Sequence, residues 1–179
     1  MPTADDLIRL LHLEPLPLEG GWYRETHRSS RQLPANVLAP RYRAARSAST
    51  AIYYLLTPDT FSALHRLPTD EVFHFYLGDP VEMLQLGPAP EDGGRILTLG
   101  SDLLAGQQLQ TVVPAGVWQG SKLRAGGAFA LMGTTMTPGF DFADYEGADR
   151  DALVAAFPEF EERIRILCPN QSSLATDSH

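Results

Sequence analysis

Between Phe61 and Gly78 the chain places His65, Asp70, Glu71 and His74 in one short stretch, with the aromatic residues Phe73, Phe75 and Tyr76 beside them. Imidazole is the side chain whose charge changes nearest neutral pH, so a histidine here is a candidate general base. A neighbouring carboxylate can orient it or serve as the complementary acid. His65 and Glu71 are therefore the first candidates for chemistry, with His74 as a third.

Whether His74 joins them depends on strand parity. Successive side chains of a strand point to opposite faces, so Glu71, Phe73 and Phe75 share one face and His74 shares the other with Tyr76. A β-bulge would bring His74 across, and bulges gather near active sites. Without one, His74 belongs on the outer face of its sheet, against another layer or a partner subunit.

The elements that must position these groups read as a series of short strands. Segments 49–56, 61–66, 71–77, 81–86, 95–99, 107–113, 118–123 and 128–136 are rich in β-branched and aromatic residues, and turn residues separate them. Strands at that spacing with no helices between them predict an all-β sandwich or barrel. An amphipathic helix is expected over 4–13, capped by Thr3 or Asp5 and stopped by Pro15 and Pro17. Glu19-Gly20-Gly21 then turns the chain into a strand in which Tyr23, Glu25 and His27 alternate with Trp22, Arg24 and Thr26. Residues 28–47 lack periodicity and read as a long loop, of the kind often used as a lid or interface arm. Helices are expected over 149–156 and 159–167, and Phe140 and Phe142 are expected to pin them. The polar segment 170–179 is expected to be a disordered tail, which leaves one domain over 1–169 and gives His179 no role.

Composition narrows the function. The 179 residues carry a formal net charge of -8, with a sequence pI near 5.0. Phosphate binding relies on clustered Lys and Arg, so nucleic acid is not an expected partner. The local group Arg41, Arg43 and Arg46 reads as solvated surface. Cys168 is the only cysteine, which rules out an intrachain disulfide and suggests a packing role. The start of the chain lacks the basic and apolar segments of a secretory leader, and no apolar run approaches the ~20 residues of a membrane span. A cytoplasmic protein with no membrane partner is expected.

Two spaced motifs add a resemblance. His65, Leu67, Glu71 and Gly78 stand at the spacing of the first cupin motif, with leucine where the second histidine belongs. Pro114-Ala-Gly116-Val-Trp-Gln119 follows the second motif, with glutamine where its histidine belongs. Together with Glu19–Thr26, Ser49–Tyr53 and Pro138–Phe142, these segments resemble the uncharacterised cupin family five over roughly residues 5–165. The resemblance implies a double-stranded β-helix, a jelly-roll barrel flanked by helices, usually paired as a homodimer. It also implies a pocket in the barrel, for which an activity like that of sugar-nucleotide epimerases has been suggested.

On this basis the expected function is binding of a small polar molecule in the barrel, as in a sugar or sugar-nucleotide epimerase or isomerase with His65 as its acid/base. Tyr23, Tyr53 or Tyr76 would supply a phenol for the opposite face of a sugar ring. Arg24 or Arg66 would hold a phosphate or carboxylate. Phe73, Phe75, Trp118 and Gln119 would line the wall. The alternatives are a binding or sensing module without turnover, and a metal-dependent oxygenase or isomerase with an incomplete ligand set. The resemblance implies a metal site of three histidines and one glutamate, and here only His65 and Glu71 remain, so no cofactor is expected; a divalent metal, if bound, would sit on that pair. Asp141 could orient His65 if the chain after residue 136 folds over the pocket.

Overall fold

Alternation of apolar and polar residues decides which face of each strand is buried, and in the computed structural model, which describes residues 2–168, it sorts the strands into two facing sheets. The strands are β1 (Glu14–Pro15), β2 (Trp22–Arg28), β3 (Gln32–Leu33), β4 (Arg46–Ser47), β5 (Thr50–Leu56), β6 (Phe61–Arg66), β7 (Glu71–Gly78), β8 (Val81–Leu86), β9 (Gly94–Leu99), β10 (Gln110–Val113), β11 (Trp118–Leu123), β12 (Ala130–Met136) and β13 (Glu146–Gly147). One sheet has the order β1-β2-β5-β12-β7-β10, the other β13-β6-β11-β8-β9, and β3 pairs with β4 apart from both. Tyr54, Phe73, Phe75, Met83, Leu99, Val113 and Met132 meet between the sheets. This is the expected jelly-roll barrel. The expected tail over 170–179 lies outside the described residues.

Helices cover the two outer faces. The first, α1 (Ala4–Leu11), is shorter than the expected 4–13. Thr3 caps it in a reciprocal box with Asp6, and His12 ends it in a left-handed conformation. Its Leu7 packs with Leu55, Phe129 and Leu131 on the outer face of the six-stranded sheet. Behind the five-stranded sheet, α2 (Arg150–Ala156) and α3 (Glu161–Leu167) bury Leu153, Phe157, Ile164 and Leu167 against Leu64, Leu84, Leu86 and Trp118. A Cβ at Gly120 would stand 3.1 Å from the Leu64 side chain and 3.3 Å from Leu167, so glycine there lets α3 approach. Among the described residues no helix is long and apolar enough to cross a membrane.

Hydrogen bonds join the sheets along both open edges. On one edge the β1–β2 loop crosses to β6, where the Ala63 N–H donates to the Glu19 carbonyl at 2.8 Å. On the other, Gln85 of β8 is held by Arg95 and donates to the Val112 carbonyl of β10.

Three expectations change. Arg46 is not solvated: it is buried, and its guanidinium forms a bidentate pair with Asp144 at 2.7 and 2.5 Å. The 28–47 segment contains the β3–β4 pair and one short 3₁₀ turn, so it is partly structured. Phe140 and Phe142 do not pin the C-terminal helices: they stack edge to face on each other, ring centroids 5.0 Å apart, at the mouth of the barrel cavity.

Candidate functional site

His65 and Ser62 are three residues apart, which in a regular strand would set them on opposite faces. A bulge removes that conflict. Opposite the pair Gln119 and Ser121 of β11, β6 presents His65 and Ser62, so it carries one residue more than its partner. Both side chains then turn into the barrel, while Leu64 points out to α3.

His65 is 1% exposed and its hydrogen bonds define its tautomer. A carbonyl can only accept, so Nδ1–H donates to the Ala63 carbonyl at 2.7 Å, and whenever the ring is neutral its lone pair is on Nε2. The Gln119 side-chain nitrogen lies 3.4 Å from that atom and 2.6 Å from Glu71 Oε2. One NH₂ group thus donates to both neighbours. The opposite amide orientation would set its carbonyl oxygen against the carboxylate. Glu71 and Gln119 are 7% and 2% exposed, so the row His65–Gln119–Glu71 is almost completely shielded from bulk water.

Glu19 completes the group from the β1–β2 loop. Ser62 Oγ donates to its Oε1 at 2.8 Å, and its Oε2 stands 3.9 Å from His65 Nε2. Gly20 and Gly21 make this approach possible. Their φ angles are +95° and +74°, and a Cβ would fall 2.6 Å from the Phe61 carbonyl oxygen or 2.8 Å from the Tyr54 ring. Tyr54 donates to the Gly20 carbonyl at 3.0 Å, and Tyr145 stacks on His65 at 5.0 Å between centroids.

The electrostatics follow from burial. Desolvation pushes the Glu71 carboxyl above its ordinary range, and the charge of Glu19 pushes the same way; His65, Gln119 and Thr134 offset this in part. The Tyr54 and Tyr145 phenols are raised by burial first and by Glu19 second, so they stay protonated near neutral pH.

A cavity of about 230 Å³ opens beside this group, lined by Glu19, Glu71, Tyr23, Leu67 and Thr134 in its wall, with Glu25, Arg28, Phe140 and Phe142 among the rest. Glu25 and Arg28 share that wall because β2 also bulges between Glu25 and His27. The two form a bidentate pair at 2.9 and 2.6 Å. The bulge turns His27 to the outside, where it meets Ser49. A larger groove of about 510 Å³ lies between α3 and the loop after β11, but among the described residues its lining has no histidine and none of the buried carboxylates. We place the candidate site in the smaller, barrel cavity.

Of the residues expected at the site, His65, Glu71, Gln119 and Tyr23 come together. His65 and Gln119 stand behind the carboxylates rather than in the cavity wall. Phe73 and Phe75 are core residues between the sheets. Arg24, Tyr53 and His74 lie on the outer face of the six-stranded sheet: Arg24 rests over the Tyr53 ring, and Tyr53 meets Tyr76 edge-on. His74 stacks on Tyr76 and is bonded between Thr135 and Gln110. Arg66 covers the Trp118 ring at 4.5 Å and pairs with Glu146, both outside the barrel. Asp141 caps its own turn by accepting from the Ala143 N–H. Glu19, Ser62 and Tyr145 were absent from the expectation. The only sequence signal for Glu19 is its place directly before a glycine pair.

The residues present do not fit the four-ligand metal set. Leu67 has no donor atom, and the Gln119 amide turns its N–H groups, not its oxygen, toward His65 and Glu71. Among the described residues no group of three or more His, Cys, Asp or Glu side chains is arranged to hold a metal ion.

Comparison with known proteins agrees with the fold. The model of a family described as cupin superfamily (DUF985) matches residues 5–148. The uncharacterized protein YML079W of Saccharomyces cerevisiae is 33% identical over 141 residues, which is 71% of this chain and 66% of that protein, just under two thirds of its length. A solved structure of a hypothetical protein from Leishmania major superposes with a TM-score of 0.82 at 32% identity, covering 93% of this chain and 99% of that one. Protein SO0799 from Shewanella oneidensis gives 0.80 at 34% identity, covering 94% and 99%.

Proposed function

The chain belongs to the cupin superfamily (DUF985), and from that premise we propose that it binds a small polar molecule in its barrel and moves protons on it, as an isomerase or epimerase does. One observation carries this reading. The buried row His65–Gln119–Glu71 ends on a carboxyl that faces an enclosed cavity, and burial holds that carboxyl above its ordinary range. A carboxyl tuned upward toward neutrality is suited to give and take a proton. His65 supports it from behind through the shared amide of Gln119.

The cavity, at about 230 Å³, is below the ~300–1,000 Å³ of sites for drug-sized ligands. That size favours a single sugar-like ring or smaller, so a nucleotide sugar would have to leave its nucleotide outside the mouth. A thermal-shift series with monosaccharides, nucleotide sugars and small carboxylic acids tests the reading. Stabilisation by monosaccharide-sized compounds is expected, with at least about a tenfold weaker apparent affinity in Gln119→Leu. No response to any compound, or the same response in Gln119→Leu, would count against it.

A second reading is a binding module without turnover. It is favoured by the enclosure of His65 between Gln119 and the Tyr145 ring, which keeps the imidazole off the ligand. Ligand-dependent stabilisation without any proton exchange into the ligand would select this second reading.

A further inference from the structure

We propose that Glu19 is a ligand-contacting carboxylate that works with Glu71 as one acid–base pair, and that the ligand is an uncharged hydroxy-carbonyl compound of monosaccharide size or smaller. The proposal rests on the proton-transfer reading above and names its working groups.

Both carboxylates line the cavity, whereas His65 and Gln119 do not. Glu19 is held as a working group would be. Its Oε1 accepts from Ser62, its own carbonyl accepts from the Ala63 N–H, and two glycines remove the side chains that would hold the loop away from β6. Its Oε2 stands 3.9 Å from His65 Nε2, beyond hydrogen-bond distance, and the residue lines the cavity. Beside the anchor, the Ser121 hydroxyl faces inward opposite Ser62, buried and, among the described residues, without a hydrogen-bond partner.

The groups facing the pair are Tyr23 from β2, Tyr54 from β5, Ser62 and His65 from β6, Gln119 and Ser121 from β11, Thr134 from β12, and Tyr145 before β13. Among the described residues none of these is Lys or Arg. Arg28, a cation in the cavity wall, is paired with Glu25. An acidic pair with no unpaired cation beside it among the described residues disfavours a carboxylate or phosphate ligand at the cavity floor, while hydroxyl groups can donate to it.

The two carboxyls differ in a useful way. Glu71 is the more enclosed, at 7% exposure, and accepts the Gln119 amide, so it is assigned the acid role. Glu19, with 15% of its side chain exposed in the cavity wall, is assigned the role of base. In the forward step Glu19 removes the proton from the carbon next to the ligand carbonyl. The C–H electron pair becomes the C=C bond of an enol, and the carbonyl oxygen takes the Glu71 proton. Glu19 then gives its proton to the former carbonyl carbon while Glu71 takes the proton of the hydroxyl on the neighbouring carbon, which becomes the new carbonyl; this gives the isomer and restores both carboxyls. The step is redox-neutral and needs no co-reactant. His65 is a positioning residue in this scheme.

Two measurements on the full chain test the pair. Glyceraldehyde, dihydroxyacetone and D-fructose are incubated in D₂O and proton exchange at carbon is followed by ¹H NMR. Wild-type protein should accelerate exchange of at least one, and Glu19→Gln should lower that rate at least about 100-fold. Glu19→Asp, which keeps the charge and shifts its position, should fall between. Exchange within threefold of wild type in Glu19→Gln would overturn the role of Glu19 and leave the general reading standing; no exchange by the wild type would overturn the general reading. Independently of any ligand, the melting-temperature gain from Glu71→Gln at neutral pH should shrink by at least half in the Glu19→Gln background. Additive shifts would show that the two carboxylates do not face one another, and so overturn the pair.

Discussion

Replacing Glu71 with glutamine removes a buried ionisable group while keeping its shape. In the wild type the carboxyl is 7% exposed and stands near Glu19, so its ionised form is disfavoured in place. Desolvation of such an ion costs several kcal/mol even after relaxation. The charge-assisted bond from Gln119 at 2.6 Å returns about 1.5–3 kcal/mol, and a glutamine accepting the same bond would keep about 0.5–1.5. The loss of roughly 1–1.5 kcal/mol in hydrogen bonding is smaller than the relief of desolvation and repulsion. Glu71→Gln should therefore be more stable at neutral pH by about 1–2 kcal/mol, or roughly 2–8 °C in Tm for a chain of this size. The pH dependence fixes the cause. Because the folded-state value is raised above 4.5, the native protein keeps a proton that the unfolded chain has released. Wild-type stability then falls as pH rises from about 4.5 through the raised value, by at most ~1.4 kcal/mol per pH unit from this group. Below 4.5 both states are protonated and the advantage of the variant should vanish. Urea unfolding of both proteins across that range is the assay. A variant that is less stable at neutral pH, or whose difference from wild type is the same at every pH, would refute the argument.

Other consequences can be checked more simply. Gly20→Ala puts a side chain on a residue at φ +95°, with its Cβ 2.6 Å from the Phe61 carbonyl oxygen, and should cost more than about 1 kcal/mol in urea unfolding; an unchanged midpoint would mean the loop does not press on β6. The double substitution Leu67→His and Gln119→His supplies the two missing imidazoles, and elemental analysis should show bound zinc or manganese rising at least about threefold over the unmodified chain. Burial pushes the Cys168 thiol up to about 11, so a thiol-reactive dye at pH 8 should label the native protein at least about tenfold more slowly than the urea-unfolded one.

The motif spacing carried the centre of the site well. His65 and Gln119 are cross-strand partners, and Glu71 reaches the same amide from the facing sheet. Parity also sent His74 and Tyr76 outward, and the bulge in β7 near Tyr76 leaves His74 facing out beside Thr135. The same parity, applied to Arg66 beside His65 and to Trp118 beside Gln119, turns both out of the barrel, where they stack on each other. Those two were legible in principle. Glu19 was not, because it lies on a loop whose path is set by glycine geometry and by one main-chain bond to Ala63.

The sequence by itself determined the strand series, the barrel and the identity of the residues that stand at the motif positions, since hydrophobic period and turn chemistry are local properties. It also determined that two of those positions lost their imidazoles. Tertiary contacts decided which groups face the cavity. Bulges in β2 and β6 shift parity partway along a strand, and they exist only through pairing with a partner strand. The state of Glu71 is likewise collective: its burial comes from both sheets, its donor from β11 and its opposing charge from the loop before β2. No window of sequence contains all three, so the chemistry of the barrel emerges only when the sheets close.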